Sequence, residues 1–224
     1  MAVGAPILVV VGMLREARIA AGDRTVIGGG EAGQLDVRLE AALRERRSAV
    51  VSFGLCGALD PALKPGDLVI GEAALAGSER IDADAGWATR LAAALPSALR
   101  GAVVHAAQPI ASAVDKARVR AASGAVAVDM ESLAAGRAAR RWAAPFAILR
   151  AVSDGADRTL PPAARVGLGR DGRPAIGPVL GSLVRHPWQT PALIRTAREA
   201  ETAFRALADA RDLLGPGLGG PDLL

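Results

Sequence analysis

The sequence predicts an α/β fold, a single domain in which a central sheet carries helices on both faces. Three observations predict it. Apolar runs of strand length alternate with segments of helical spacing from Pro6 to Val152, the pattern of a sheet with helices packed on its two sides. The 224 residues are 51% apolar and 22% charged, which suits one well-buried core rather than two. Polar residues gather where strands stop, which is where such sheets hold their ligands.

Each element has its own signal. Pro6 to Gly12 is a short apolar run ending in glycine and reads as a buried strand. Thr25 to Ile27 is a shorter strand, stopped by Gly28, Gly29 and Gly30. Glu31 to Arg47 has helical spacing, with Leu35, Leu39, Ala42 and Leu43 on one side. Ala49 to Phe53 is a strand running into a glycine turn, Gly54-Leu55-Cys56-Gly57. The turn Lys64-Pro65-Gly66 leads into a strand from Asp67 to Ile70. Ala85 to Leu95 is a helix stopped by Pro96, Ala102 to Ala107 a strand, and Asp115 to Ala122 a helix ending before Gly124. Val126 to Val128 is a short strand joined directly to a helix from Glu131 to Trp142. Phe146 to Val152 is the last strand, and it opens into Ser153-Asp154-Gly155-Ala156-Asp157. Leu160 to Arg185 is rich in proline, glycine and arginine and reads as loop plus a short helix. Thr190 to Leu213 is a long helix with Leu193, Ile194, Ala197, Phe204 and Leu207 on its apolar side. The glycine-rich tail from Gly215 to Pro221 reads as disordered.

Composition narrows the function. Aromatics are 3% and tyrosine is absent, which argues against a stacking platform for nucleic acid. The net charge of +4 comes from scattered arginines rather than a basic block. They read as a solvated surface, or as an attraction to phosphate or anionic lipid. Cys56 is the lone cysteine, so no intrachain disulfide forms, and its apolar setting reads as packing. His105 and His186 are far apart and make no metal motif. Neither a membrane span nor a signal peptide is evident, which places the chain in the cytoplasm, with contact to a membrane from that side left open.

Four clusters carry chemistry. Gly12-Met13-Leu14-Arg15-Glu16-Ala17-Arg18 follows the first strand. Gly12 permits close backbone approach, and Glu16 points into a crevice or opens a helix on the surface. Ser52 to Leu59 is a strand and a glycine turn, where backbone amides can lie flat against a base or sugar, or simply make a tight turn. Val128-Asp129-Met130-Glu131-Ser132 sets two carboxylates at a strand–helix junction. One carboxylate can accept from both hydroxyls of a ribose. Alternatively Asp129 caps the helix and Glu131 is solvated. Asp154 follows an apolar strand. Apolar surroundings disfavour its charged form and suit it to give a proton to a leaving purine. Capping of the next turn is the alternative.

Together these clusters resemble the purine nucleoside phosphorylase and methylthioadenosine/adenosylhomocysteine nucleosidase superfamily. The resemblance runs from about Ile7 to about Asp157. It rests on Gly-Leu-Cys-Gly-Ala-Leu at 54–59, Lys-Pro-Gly-Asp-Leu-Val at 64–69, Val-Asp-Met-Glu-Ser at 128–132 and Arg-Ala-Val-Ser-Asp-Gly-Ala-Asp at 150–157. Within it the chain is most similar to the hopanoid-associated branch. The stretches that carry this are Ser52 to Leu68, Ala125 to Ser132, Arg158 to Ala163 and Pro187 to Arg198. The resemblance implies a phosphorylase/hydrolase-like domain over 1–213 with a central mixed twisted sheet. Residues 158–213 would be a helical extension and 214–224 a disordered tail.

The resemblance also implies roles. Asp154 would protonate the purine at N7, and Glu16 would activate water. Glu131 would hold the ribose hydroxyls and Met130 pack against the sugar. Ile110, Pro109, Ser153 and Gly57 would line the purine. Arg15 and Arg18 would be the candidates for a phosphate or a lipid headgroup. No metal or cofactor is implied beyond water, or phosphate as co-substrate. The similarity to the hopanoid-associated branch implies adenosylhopane as substrate, with adenine and ribosylhopane as products. A carboxylate at Glu16 repels phosphate and suits water, so hydrolysis is the expectation. Phosphorolysis of the same bond is the alternative, and a non-catalytic nucleoside- or lipid-binding module is the reading from another class. Partners would be a small-molecule nucleoside with a hopanoid tail, no nucleic acid, a second copy in a homodimer, and a membrane touched peripherally. The C-terminal segment with Trp188, Leu193, Ile194 and Phe204 reads as a helix that packs on the core with a basic outer face, or, for that contact, as an apolar channel rimmed by Arg185, Arg195, Arg198, Arg205 and Arg211.

Overall fold

We describe the protein from a computed structural model, which covers residues 7–20, 24–27, 34–45, 48–161 and 187–221. Eight strands are described: β1 (Ile7–Val11), β2 (Arg24–Ile27), β3 (Ala49–Ala58), β4 (Leu68–Ala76), β5 (Glu79–Asp82), β6 (Leu99–His105), β7 (Ala127–Asp129) and β8 (Phe146–Asp154). The helices are α1 (Leu14–Ile19), α2 (Gln34–Glu45), α3 (Ala85–Ala94), α4 (Ala113–Ser123), α5 (Ser132–Arg141) and α6 (Thr190–Leu214), the last entered through a 3₁₀ turn at Pro187–Gln189.

The strands form one mixed sheet. Strands β1, β2, β3 and β8 are linked by parallel pairing, as are β4, β6 and β7, and the two sets meet antiparallel at β3–β7 and β4–β8. The sheet curls until β3, β7, β6, β4 and β8 close a ring. Alternation along each strand divides the apolar residues between two cores. In β1, Leu8 and Val10 face one core, while Ile7, Val9 and Val11 face the other. Helices α2 and α5 cover the first, and α3 and α6 the second. A strand buried on both faces must be apolar throughout, which explains the unbroken Ile-Leu-Val-Val-Val of β1.

Local chemistry sets the helix ends. Asp84 caps α3 by accepting from the Trp87 amide at 2.7 Å. Ser112 caps α4 by accepting from the Asp115 amide at 3.1 Å, and α4 stops at Gly124, whose φ is +67°.

Four expectations change. Gly54 to Gly57 is not a turn but the second half of β3, because β8 and β7 pair with it there. The strand expected over Asp67 to Ile70 runs on to Ala76 and then folds back through Gly77 and Ser78 into β5, which the sequence reading did not include. Helix α1 is a separate element. The tail expected to be disordered packs instead. Leu218 is fully buried, the Trp87 indole donates to the Leu218 carbonyl at 2.9 Å, and Arg90 donates to the Gly219 carbonyl at 3.0 Å. One buried leucine and two backbone acceptors outweigh the glycine-rich composition. Residues 162–186 and 222–224 lie outside the described residues, and with them the loop and short helix expected before Arg185, together with His186.

Candidate active site

Strand ends and the α6 helix enclose a cavity of about 300 Å³, at the lower end of the range for small-molecule sites. Glu16, Asp129, Glu131 and Asp154 are its charged lining residues, and no lysine, arginine or histidine lines it among the described residues. The four sequence clusters converge here. Gly12, Met13 and Glu16 come from the first, Leu55, Cys56 and Gly57 from the second, Asp129, Met130 and Glu131 from the third, and Ser153 and Asp154 from the fourth. Pro109 and Ile110 line it too, and Thr196, Ala200 and Phe204 close it from α6.

Glu16 is not a surface carboxylate. It is 2% exposed and accepts three backbone hydrogen bonds, from Gly12 at 2.7 Å, Met13 at 2.8 Å and Leu55 at 2.8 Å. Burial pushes its carboxyl above the ordinary carboxylate range, opposed in part by Arg150 and by those amides. The glycines expected to admit a ligand admit acids instead. A Cβ on Gly12 would lie 2.7 Å from Glu131 Oε1, and one on Gly54 2.5 Å from Glu16 Oε1. Neither position has room for a side chain while those carboxylates stay in place.

The Asp129–Glu131 pair divides into two jobs. Asp129 accepts from the Ser132 amide at 3.3 Å and pairs with Arg150 at 2.5 Å, so it anchors the start of α5. Glu131 keeps a side chain 13% exposed and pairs more loosely with Arg150, at 3.3 Å. Burial raises its carboxyl to about 7, with Arg150 opposing and the nearby Asp129 and Glu16 adding to the rise. It is neither solvated nor fully matched, and so can take hydrogen bonds from a ligand diol. Met130 beside it is 38% exposed on the cavity wall.

Arg150 is fully buried beneath the acids. It donates to Ser52 Oγ, to Ser132 Oγ at 3.3 Å and to the Leu55 carbonyl at 3.3 Å. A charge so enclosed is kept by its partners, since an unpaired buried ion costs several kcal/mol (roughly). Burial pushes the Cys56 thiol up as well, which fits packing rather than nucleophilic work.

Asp154 ends β8 at a bulge. Cys56 pairs with Val152 and Gly57 with Asp154, which leaves Ser153 as the extra residue. Bulges re-aim side chains beside sites. Ser153 Oγ reaches the Cys56 carbonyl at 3.1 Å and Asp154 Oδ1 at 2.7 Å. The expected apolar setting of Asp154 is corrected. The buried Lys116 ammonium pairs with its Oδ2.

Arg15 and Arg18 do not line the cavity. Arg15 pairs with Glu201 of α6 at 2.7 Å and stacks over Phe204 at 4.1 Å from the ring centre, while Arg18 is exposed. Of the apolar channel expected at the C-terminal end, Phe204 reaches the cavity. Trp188 and Ile194 do not, and are 73% and 48% exposed. Lys116 and the buried role of Arg150 are not among the site features expected from the sequence. Their signals were a lysine at helical spacing from Ala113 and Val119, and an arginine amid the apolar β8 run.

Among the described residues no group of three or more His, Cys, Asp or Glu side chains is arranged to hold a metal, and no helix is long and apolar enough to cross a membrane.

Comparison with curated protein sequences gives no match. Solved structures share the fold. The 5′-methylthioadenosine/S-adenosylhomocysteine nucleosidase of Neisseria meningitidis, in complex with methylthio-immucillin-A, is 21% identical with a TM-score of 0.66, covering 90% of this chain and 94% of its own. The corresponding nucleosidase of Helicobacter pylori, with butyl-thio-DADMe-Immucillin-A, is 13% identical with a TM-score of 0.62, covering 92% and 97%. Helicobacter pylori futalosine hydrolase is 13% identical with a TM-score of 0.59, covering 66% and 87%. The family model described as the phosphorylase superfamily matches residues 18–167, from α1 past the end of β8, and the chain belongs to that superfamily.

Proposed function

We propose that this protein hydrolyses the N-glycosidic bond of a purine nucleoside. The observation that carries the reading is the cavity's charge. Its four lining carboxylates face no lining cation among the described residues, and Arg15, the nearest candidate for phosphate, is turned to Glu201. A phosphate dianion would find no cation on the described cavity wall, since Arg150 and Lys116 lie behind the carboxylates they pair with, whereas water needs a base.

In this reading Glu131 accepts from the ribose hydroxyls and Met130 packs on the sugar. Glu16, pinned by three amides and made more basic by burial, takes the proton from the attacking water. Asp154 gives a proton to the purine, so the base leaves neutral. General acid help of this kind contributes about 10²–10⁴-fold, and alignment of water beneath C1′ adds to it. The family membership and the nucleosidase-like fold support this chemistry.

The finer reading is that the nucleoside carries a large apolar 5′ substituent, as adenosylhopane does. Met130, Ile110, Leu160, Ala200 and Phe204 give the cavity an apolar wall. Trp188 and Ile194, exposed beside Arg195 and Arg198, would meet anionic lipid at that end. The test is incubation of adenosine, 5′-methylthioadenosine and adenosylhopane with and without phosphate. The proposal expects adenine and a free sugar in both, with adenosylhopane cleaved fastest. Release that requires phosphate would replace hydrolysis by phosphorolysis, and no release from any would favour a binding module. A W188A/I194S variant should bind anionic liposomes less tightly than the parent. Equal binding removes the lipid contact.

A further inference from the structure

Helix α4 inverts the usual arrangement of a surface helix. Its one buried residue is Lys116, with a side chain 1% exposed, while Val114 is 61% exposed. A long cationic side chain ordinarily keeps its head in water, and a buried ion pair seldom returns the cost of drying both charges. The ammonium donates to Asp154 Oδ2 and, at 2.7 Å, to the Gly155 carbonyl. Asp154 lines the cavity and Lys116 does not, so the lysine acts on a ligand only through the aspartate. The Cys56 thiol of β3 lies within reach of both charges of the pair, and the Asp129 and Arg150 charges that also act on that thiol match each other. Arg120, one turn along α4, is engaged with Asp60 at 2.8 Å.

We infer that Lys116 is a positioning residue that supplies the proton to Asp154, so that the leaving purine is protonated by an ammonium–carboxylate pair rather than by a lone carboxylic acid. The inference rests on the nucleosidase reading above. As the C1′–N9 bond breaks, its electron pair goes to the purine. A Lys116 proton crosses to the Asp154 carboxylate, and the carboxyl gives a proton to N7. The pair passes from ammonium and carboxylate to amine and carboxylate, and the base leaves neutral. The attacking water gives its oxygen to C1′ and its proton to Glu16, and solvent carries a proton back from Glu16 to Lys116 as products leave. This accounts for a carboxylate that donates a proton although a buried cation faces it.

The test compares K116M and K116Q with the wild type on two substrates. One is the nucleoside that the wild type cleaves best. The other is its N7-methyl derivative, whose base already carries the positive charge and leaves neutral without a proton. Because the ratio between substrates is read within each variant, partial unfolding cancels. K116M should lose about 100-fold or more in kcat on the parent nucleoside and under about tenfold on the methylated one, with KM nearly unchanged. K116Q, which donates hydrogen bonds but holds no transferable proton, should behave the same way. Equal losses on both substrates would make Lys116 a structural residue, and a K116Q enzyme at the wild-type rate would leave only geometry. Either result overturns the inference. A wild type that cleaves neither substrate overturns the nucleosidase reading itself, and the inference with it.

Discussion

Gly54→Ala displaces the proposed base. The new Cβ would lie 2.5 Å from Glu16 Oε1, 2.7 Å from Glu16 Cδ and 2.9 Å from Arg150 Nη1. A relaxed non-bonded contact begins at about 3.5 Å, so the carboxylate must retreat by about 1 Å. Its amide bonds from Gly12, Met13 and Leu55 are 2.7, 2.8 and 2.8 Å long, and a shift of that size breaks at least one. The moving carboxylate is the far end of a side chain and can yield, but Gly54 has a φ of +156°, which alanine rarely adopts, so the variant also carries backbone strain and its thermal midpoint is read beside the rate. A misplacement of about 1 Å costs about 10²-fold in rate. The assay is kcat and KM for base release, with Gly217→Ala as control, since a Cβ there meets nothing closer than Ile7 at 3.9 Å. The expected result is kcat down about 100-fold, KM within a few-fold and the control at the parental rate. A Gly54→Ala enzyme at full kcat would refute the placement of Glu16.

Further outcomes follow from the same structure. Burial raises Glu131 from its ordinary 4.5 to about 7, so the folded state binds its proton more tightly than the unfolded chain. The stabilisation is fully present below pH 4.5 and is lost as pH rises through about 7, a difference of about 3 kcal/mol. Thermal midpoints measured from about pH 4.5 to 8 should therefore fall more steeply in the wild type than in Glu131→Gln, and parallel curves would contradict the buried setting of Glu131. Truncation after Leu214 removes Leu218, which is fully buried, and the acceptor of the Trp87 indole. It should cost about 3 kcal/mol in urea unfolding, and an unchanged midpoint would return the tail to disorder.

The element order was legible because strands buried on both faces must be apolar without interruption, as in Ile7–Val11. The site was legible because Gly12, Gly57, Glu131 and Asp154 sit where such strands stop. What sequence could not supply was decided by partners distant along the chain. Gly54 to Gly57 carries a turn's composition, but its pairing with β8 and β7 makes it strand. Glycine at positions 12 and 54 reads as freedom of the backbone, whereas its use is room for the carboxylates of Glu131 and Glu16. Lys116 shares a helix side with Ala113 and Val119, but periodicity alone assigns a lysine to water, and only the fold reveals the aspartate that holds it inside. Arg15 looked free to meet phosphate until α6 supplied Glu201 and Phe204.

The most direct measurement is single-turnover base release by Asp154→Asn beside the wild type, on the nucleoside that the wild type cleaves best. Asparagine keeps the shape of the side chain and its contact with Ser153, but has no proton to give. The account predicts a loss of about 10²–10⁴-fold in the chemical step with nucleoside binding retained. Release at the wild-type rate would contradict it.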